Sequence, residues 1–216
     1  MGKFIINLHL KLFMEKRVVI FGDSITWGAN DYEKGGWVSR LRSDLENNSE
    51  DYYSIYNCGI SGDNTEDLLF RFEVESASRH REKADQNIVV FAIGINDSQN
   101  IEQKGNFAVK LKQFETNLKK LLELSKKYYD KIVFIGLTNV DENKTVPLPW
   151  SKDKSYYSSD VKMYDKIIEK IAKQNNCKYI EMFDVVSLNE MKDGLHPDKE
   201  GHKKMYLKIK KEITKI

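Results

Sequence analysis

Two cysteines in 216 residues, with no C-x-x-C and no paired cysteine–histidine spacing, argue against a zinc site and against a disulfide framework. A reducing compartment, the cytoplasm, is therefore expected. No charge of one sign dominates either: 35 basic and 33 acidic residues leave a net charge of +2, which gives nucleic acid no basic footprint to bind. Long apolar runs are missing. The patch Phe4-Ile5-Ile6-Asn7-Leu8-His9-Leu10 is too short and too polar to span a membrane, and no small-residue cleavage site follows it, so export is not expected. There is no internal repeat and no low-complexity tract. Of only three prolines, Pro147 and Pro149 share one stretch.

What is present is a globular composition, 40% hydrophobic and 11% aromatic, in a chain long enough to bury a full core without disulfides or metals. Met14 followed by Glu15-Lys16-Arg17 opens the first strand cleanly. Residues 1–13 are accordingly read as an N-terminal extension outside the fold, with Met14 an alternative start, and residues 14–216 as a single domain.

The chain is organised around Val18-Val19-Ile20-Phe21-Gly22-Asp23-Ser24-Ile25-Thr26-Trp27-Gly28. Four consecutive apolar residues read as a strand buried on both faces, and Gly22 ends it. Ser24 then falls just beyond the carboxyl end of a central strand, where open α/β sheets bind ligands. The same Asp23-Ser24 pair could simply cap a helix. Further apolar runs at 52–56, 88–93, 132–135 and 179–183 predict four more strands. They alternate with helices carrying Trp37, Val38, Leu41 and Leu45, then Leu68, Leu69 and Phe72, then Phe107 to Leu122, then Val161 to Ile171, then Met205, Ile209 and Ile213. Parallel neighbours need right-handed crossovers, so a three-layer α/β/α sandwich with a five-stranded parallel sheet follows. Residues 138–153 interrupt the pattern. This long aperiodic segment leaves the carboxyl end of the fourth strand with a stiff apolar tip, Pro147-Leu148-Pro149-Trp150, and is expected to wall a substrate pocket. The alternative is that Trp150 packs on the core.

Every polar cluster lies after a strand or in the last strand-to-helix segment: Asp23-Ser24, Ser61-Gly62, Asn96-Asp97 and Asp193-Gly194-Leu195-His196-Pro197. Such convergence raises Ser24 above a capping role. A serine hydroxyl needs a base, and the base needs an orienting acceptor on its other ring nitrogen. His196 and Asp193, three apart in one short turn, can supply both. The oxyanion that acyl transfer builds could be met by the backbone N–H groups of Ser24 and Gly62 and by the side-chain amide of Asn96.

These blocks resemble those of SGNH (GDSL-type) ester hydrolases: Gly22-Asp23-Ser24 with Thr26-Trp27-Gly28, then Gly59-Ile60-Ser61-Gly62-Asp63, Gly94-Ile95-Asn96-Asp97, and Asp193-Gly194-Leu195-His196-Pro197, in the family's order. The resemblance implies a flavodoxin-like sheet of order 2-1-3-4-5. It also implies Ser24, Gly62, Asn96 and His196 as the name-giving residues, Asp193 completing a catalytic triad, and no metal or cofactor. Ile25 replaces the family's usual leucine, a volume-conserving change. The G-x-S-x-G elbow is absent.

The expected function is cleavage of a small or medium carboxylic ester, or a thioester, through an acyl-enzyme, with Trp27 and Trp150 as pocket residues. Acyl transfer to an alcohol and a non-hydrolytic binding module on the same fold are the alternatives. Cys58 and Cys177, on opposite edge strands about 19 Å apart at about 4.8 Å per strand, cannot bridge and read as buried thiols; a reactive Cys58 beside the oxyanion loop is the other reading. His202 reads as a surface or packing histidine, and His9 and His80 carry no signal. The lysines of the last helix read as a solvated face, not a membrane anchor. Asp31 and Asp97 have no second metal ligand at a usable spacing.

Overall fold

The computed structural model describes residues 13–216; the apolar patch at 4–10, with His9, and nearly all of the proposed extension lie outside the described residues. Its elements are β1 Glu15–Gly22, α1 Ser24–Trp27, α2 Gly36–Asn48, β2 Tyr52–Gly59, α3 Thr65–Arg79, β3 Gln86–Ala92, β4 Asn100–Ile101, α4 Leu111–Ser125, β5 Lys131–Ile135, α5 Glu142–Thr145, β6 Lys154–Ser155, α6 Ser158–Gln174, β7 Lys178–Ile180 and α7 Lys199–Ile213. Five strands form one parallel sheet in the order β2-β1-β3-β5-β7, which is 2-1-3-4-5 among the sheet's own strands.

Burial explains the position of β1. Val18, Val19, Ile20 and Phe21 are all 1% exposed or less, so neither face of the strand tolerates an edge. Register places Phe21 beside Phe91, and Phe91 beside Phe134. These three rings form a row across the sheet, and Phe72 of α3 packs on it with centroids 5.0 Å from Phe21 and 5.6 Å from Phe91. Helices α3, α4 and α6 pack side by side, and α2 pairs with α7 in a separate layer. The strand carboxyl ends are thereby left clear of the helical layers.

Two boundaries differ from the sequence reading. The last strand stops at Ile180, not at 183. The Gly136 N–H makes the last bond to β7, to the Ile180 carbonyl at 2.9 Å, and beyond it the Leu137 N–H donates to Asp165 Oδ1 at 2.8 Å as the chain leaves the sheet. The fourth helix starts at Leu111; Phe107 lies before it and packs edge-on against Tyr164, centroids 5.5 Å apart. The antiparallel pair β4–β6, two residues per strand, had no counterpart in the sequence reading.

Candidate active site

Asp23 is the N-cap of α1, accepting from Ile25 N at 2.9 Å, so the capping role falls to Asp23 while Ser24 occupies the first helical position. The turn needs Gly22 for close approach. A Cβ there would lie 2.1 Å from Thr26 Oγ1 and 2.4 Å from the Ala92 carbonyl oxygen. Gly28 closes α1 in the left-handed region at φ 108°. Burial pushes the Asp23 carboxyl up to about 6 against the hydrogen bond from Ile25 N.

Ser24 Oγ lies 2.9 Å from His196 Nε2, across 172 residues of chain. His196 Nδ1 lies 2.8 Å from Asp193 Oδ2. The other carboxylate oxygen, Oδ1, accepts from the backbone N–H groups of Leu195 at 3.0 Å and His196 at 2.8 Å. Burial alone would raise the Asp193 carboxyl, but the hydrogen bonds from the His196 side chain and backbone outweigh it and hold the group well below the usual carboxylate range. An ionised Asp193 only accepts, so Nδ1 carries the imidazole proton and the Nε2 lone pair faces the serine hydroxyl.

Ser24, Gly62, Asn96 and His196 line one cavity of about 720 Å³ at the carboxyl end of the sheet. Gly62 is in the left-handed region at φ 90° with open space around it, so glycine is required there for conformation and not for packing. Among the described residues, neither the Ser24 nor the Gly62 backbone N–H has a hydrogen-bond partner in the protein. Asn96 Nδ2 donates one hydrogen to the Asp63 carbonyl oxygen at 2.9 Å. Asp97, fully buried, accepts from Thr65 N with both oxygens at 3.1 Å and from the Thr65 hydroxyl, which ties the Asn96 turn to the start of α3. Its burial pushes the carboxyl up to about 7 against those bonds.

Of the two tryptophans expected at the pocket, one is there. Trp150 lines the cavity, 55% exposed, with its ring stacked on that of His196 at 6.2 Å and 28°. Leu148, on the same tip, also lines it. Trp27 does not. Helix α1 carries it over the end of β2, its backbone nitrogen 2.4 Å from where a Gly59 Cβ would stand, and its side chain is 57% exposed outside the cavity lining.

Residues that the sequence reading missed hold the site together. Asn30 Nδ2 donates to Asp193 Oδ2 at 3.1 Å. Arg71 binds Asp63 Oδ2 at 2.8 Å and reaches the Gly22 carbonyl at 3.3 Å, linking the Gly62 loop to the serine turn. Tyr156 and Gln99 line the cavity against Asn96. No short motif contains these residues.

The remaining candidates are accounted for by their contacts. His202 is fully buried, with Nδ1 accepting from Trp37 N at 3.3 Å and Nε2–H donating to the Ala29 carbonyl at 2.8 Å. Burial also lowers its affinity for a second proton, which makes it a packing histidine. The Cys58 thiol is pushed up to about 12 by burial, so it is no thiolate. Cys177 is only partly buried, which corrects the expectation of two buried thiols: it precedes β7 in a turn and not within the strand. Asp31 is held by Gly36 N, Lys34 N and Arg40. Among the described residues, no helix is long and apolar enough to cross a membrane.

Fold and geometry together define a class, the flavodoxin-like α/β/α sandwich with a hydrogen-bonded serine, histidine and aspartate at its carboxyl edge. A family model, that of the GDSL-like lipase/acylhydrolase family, matches residues 20–204, and the chain belongs to that family. The fold is shared by a variant of an acetyl xylan esterase from Geobacillus stearothermophilus, at TM-score 0.70 and 22% identity over 91% of this chain and 94% of that one. It is shared equally by a lipase/acylhydrolase from Enterococcus faecalis, at TM-score 0.72 and 22% identity over 93% and 96%. A curated relative, the uncharacterized lipoprotein YqeF of Bacillus subtilis, is 34% identical over 116 residues; the match spans 51% of this chain and 44% of the relative's length.

Proposed function

We propose that the protein is a serine esterase that cleaves a small or medium carboxylic ester through an acyl-enzyme on Ser24. The observation that carries this reading is the continuous row from Ser24 Oγ to His196 Nε2 at 2.9 Å and from His196 Nδ1 to Asp193 Oδ2 at 2.8 Å. His196 takes the hydroxyl proton as Oγ attacks the ester carbon, and the carbonyl electron pair moves onto oxygen. The Ser24 and Gly62 N–H groups and the second Nδ2 hydrogen of Asn96 meet that charge. The tetrahedral intermediate collapses as the imidazolium returns its proton to the departing alkoxide, and water repeats the sequence on the acyl-serine.

The cavity walls mix polar side chains, Asn64, Gln99 and Lys154 among them, with the apolar Ile101, Leu148 and Trp150. That mixture favours a short acyl group on a polar alcohol over a long acyl chain, and the Geobacillus stearothermophilus neighbour, an acetyl xylan esterase, supports acetylated sugars as the first substrates to try.

The test is a panel of p-nitrophenyl esters of increasing chain length, acetylated sugars and an acyl-CoA thioester, each assayed with and without an added alcohol acceptor. Hydrolysis is expected, abolished in Ser24→Ala, with covalent labelling of Ser24 by a fluorophosphonate that is lost in His196→Ala. Turnover that survives Ser24→Ala overturns the nucleophile. Product ester formed from the added alcohol in preference to acid would make the protein an acyltransferase, and absence of both labelling and turnover would make it a binding module.

A further inference from the structure

The Asn96 side chain is gripped from two sides, and the grip fixes the direction of every proton in it. Nδ2 faces the Asp63 carbonyl oxygen at 2.9 Å, and Oδ1 faces the Tyr156 hydroxyl at 2.7 Å. A backbone carbonyl can only accept, so the amide group beside Asp63 must be the NH₂ and the one beside Tyr156 must be the oxygen. The phenol therefore donates to Asn96. Its lone pair is left to accept from Gln99 Nε2, at 2.7 Å. The row runs Gln99 to Tyr156 to Asn96 to Asp63, each group donating to the next.

One Nδ2 hydrogen is consumed by Asp63, and the planar amide then directs the other by geometry alone. Rotation about the Asn96 side chain would break both terminal bonds at once. Tyr156 is 1% exposed, and burial raises its phenol above the ordinary tyrosine range, which favours the protonated form that donates.

We infer that Tyr156 is a positioning residue for turnover: its hydroxyl holds the Asn96 amide in the one orientation that presents an N–H to the reacting carbonyl oxygen. This rests on the esterase reading above. It adds that the segment after β5 does more than wall the cavity. Tyr156 arrives from that segment, anchored by its N–H to the Thr145 carbonyl at 3.0 Å and by the Thr145 hydroxyl to its own carbonyl at 2.8 Å, directly after β6 pairs with β4. The segment that carries the cavity wall thus also sets an oxyanion donor.

A structural role alone would lower stability or act equally in every background. Positioning through Asn96 predicts instead that Tyr156→Phe lowers kcat about tenfold with KM within about twofold, and that the same change made in Asn96→Ala has no further effect on kcat. Gln99→Leu, which removes the bond to the phenol and also makes one polar part of the cavity wall apolar, should lower kcat about threefold, whatever it does to KM, and its effect on kcat should likewise be silent in Asn96→Ala. It carries the test if Tyr156→Phe does not fold by circular dichroism. The assay is steady-state hydrolysis of the best ester from the panel, with Ser24→Ala alongside. Activity that persists in Ser24→Ala defeats the esterase reading itself. With Ser24→Ala inactive, an unchanged kcat in Tyr156→Phe, a change confined to KM, or an equal loss in the wild-type and Asn96→Ala backgrounds overturns the positioning role and leaves the esterase reading standing.

Discussion

Asn30 and Asp193, 163 residues apart, are joined by a 3.1 Å hydrogen bond from Nδ2 to the same carboxylate oxygen that accepts His196 Nδ1. The aspartate therefore has four donors: two backbone N–H groups on Oδ1, the imidazole and Asn30 on Oδ2. Asn30 itself is held at φ 70°, a left-handed conformation that asparagine tolerates better than most residues. It leaves the carboxylate little freedom to turn away from the imidazole.

Asn30→Gly is the informative change, because glycine keeps the backbone conformation and removes only the amide. Alanine would add strain at this φ and confuse the outcome. We expect kcat to fall by up to about tenfold, about 1.4 kcal/mol, a fraction of what a hydrogen bond to a charged group can contribute, with KM little changed. Steady-state kinetics on the ester panel measure this. Wild-type kcat in Asn30→Gly would show that the three other donors suffice to orient Asp193.

The four polar clusters were legible in the sequence because each is a contiguous string, and those at Ser24 and Asn96 follow strands that read clearly, β1 by Val18 to Phe21 and β3 by Ile88 to Phe91. Asn30, Arg71 and Tyr156 were not, because each acts on a partner far off in the chain, Tyr156 on Asn96 at 60 residues and Arg71 on Gly22 at 49. Trp27 stands three residues from Ser24 in sequence, yet one turn of helix is enough to carry it over the β2 edge. The β4–β6 pair is too short, at two residues per strand, for any alternation to register.

Arg71 is expected to matter for stability more than for chemistry. Its guanidinium bonds Asp63, Glu75 and the Gly22 carbonyl, and both Arg71 and Asp63 side chains are largely buried. Burial already raises the Asp63 carboxyl against the opposing Arg71 bond. Arg71→Met strands that carboxyl without its partner and should destabilise the fold by about 3 kcal/mol, the scale of a broken buried pair. Asp63→Asn made in the same background should recover part of the loss, since the unpaired charge is then gone. Urea unfolding of the two variants checks both. A loss below about 1 kcal/mol would mean that water replaces the guanidinium.

Asp97 should make stability depend on pH in the direction opposite to an ordinary salt-bridged carboxylate. Its ordinary value is 3.8 and in the fold it is pushed up to about 7, chiefly by burial. Between those values the folded protein holds a proton that the unfolded chain has released. The contribution is therefore fully present below about pH 4 and is lost as pH rises through about 7. Asp97→Asn keeps an oxygen for Thr65 and cannot titrate. Relative to that variant, the wild type should lose at least about 1 kcal/mol of stability between pH 4.5 and 8, the worth of one pKa unit. Denaturant midpoints at pH 4.5, 6 and 8 measure the difference, and parallel curves would mean that Asp97 is ionised in both states.

Trp150 is expected to set how the cavity ranks its substrates. Its ring is stacked on His196, 6.2 Å between centroids, yet it remains 55% exposed, so one face backs the imidazole and much of the ring meets solvent. Packing on the core, the alternative role for this residue, would have left it buried. The neighbouring Leu148 is 1% exposed and anchors the tip from which the indole projects. Trp150→Ala removes an aromatic wall beside the reacting centre without touching the Ser24–His196 bond. The expected result is a change of about 1–3 kcal/mol in relative kcat/KM between short and longer esters, the range that one or two methylenes command in an apolar pocket. Turnover of the smallest ester should survive, because His196 keeps Asp193 as its orienting partner at 2.8 Å. The decisive measurement is kcat/KM across the p-nitrophenyl series for wild type and variant, with melting temperature recorded beside it. An unchanged ranking with a lowered melting temperature would assign Trp150 to structure, and an equal loss on every ester would assign it to holding the imidazole.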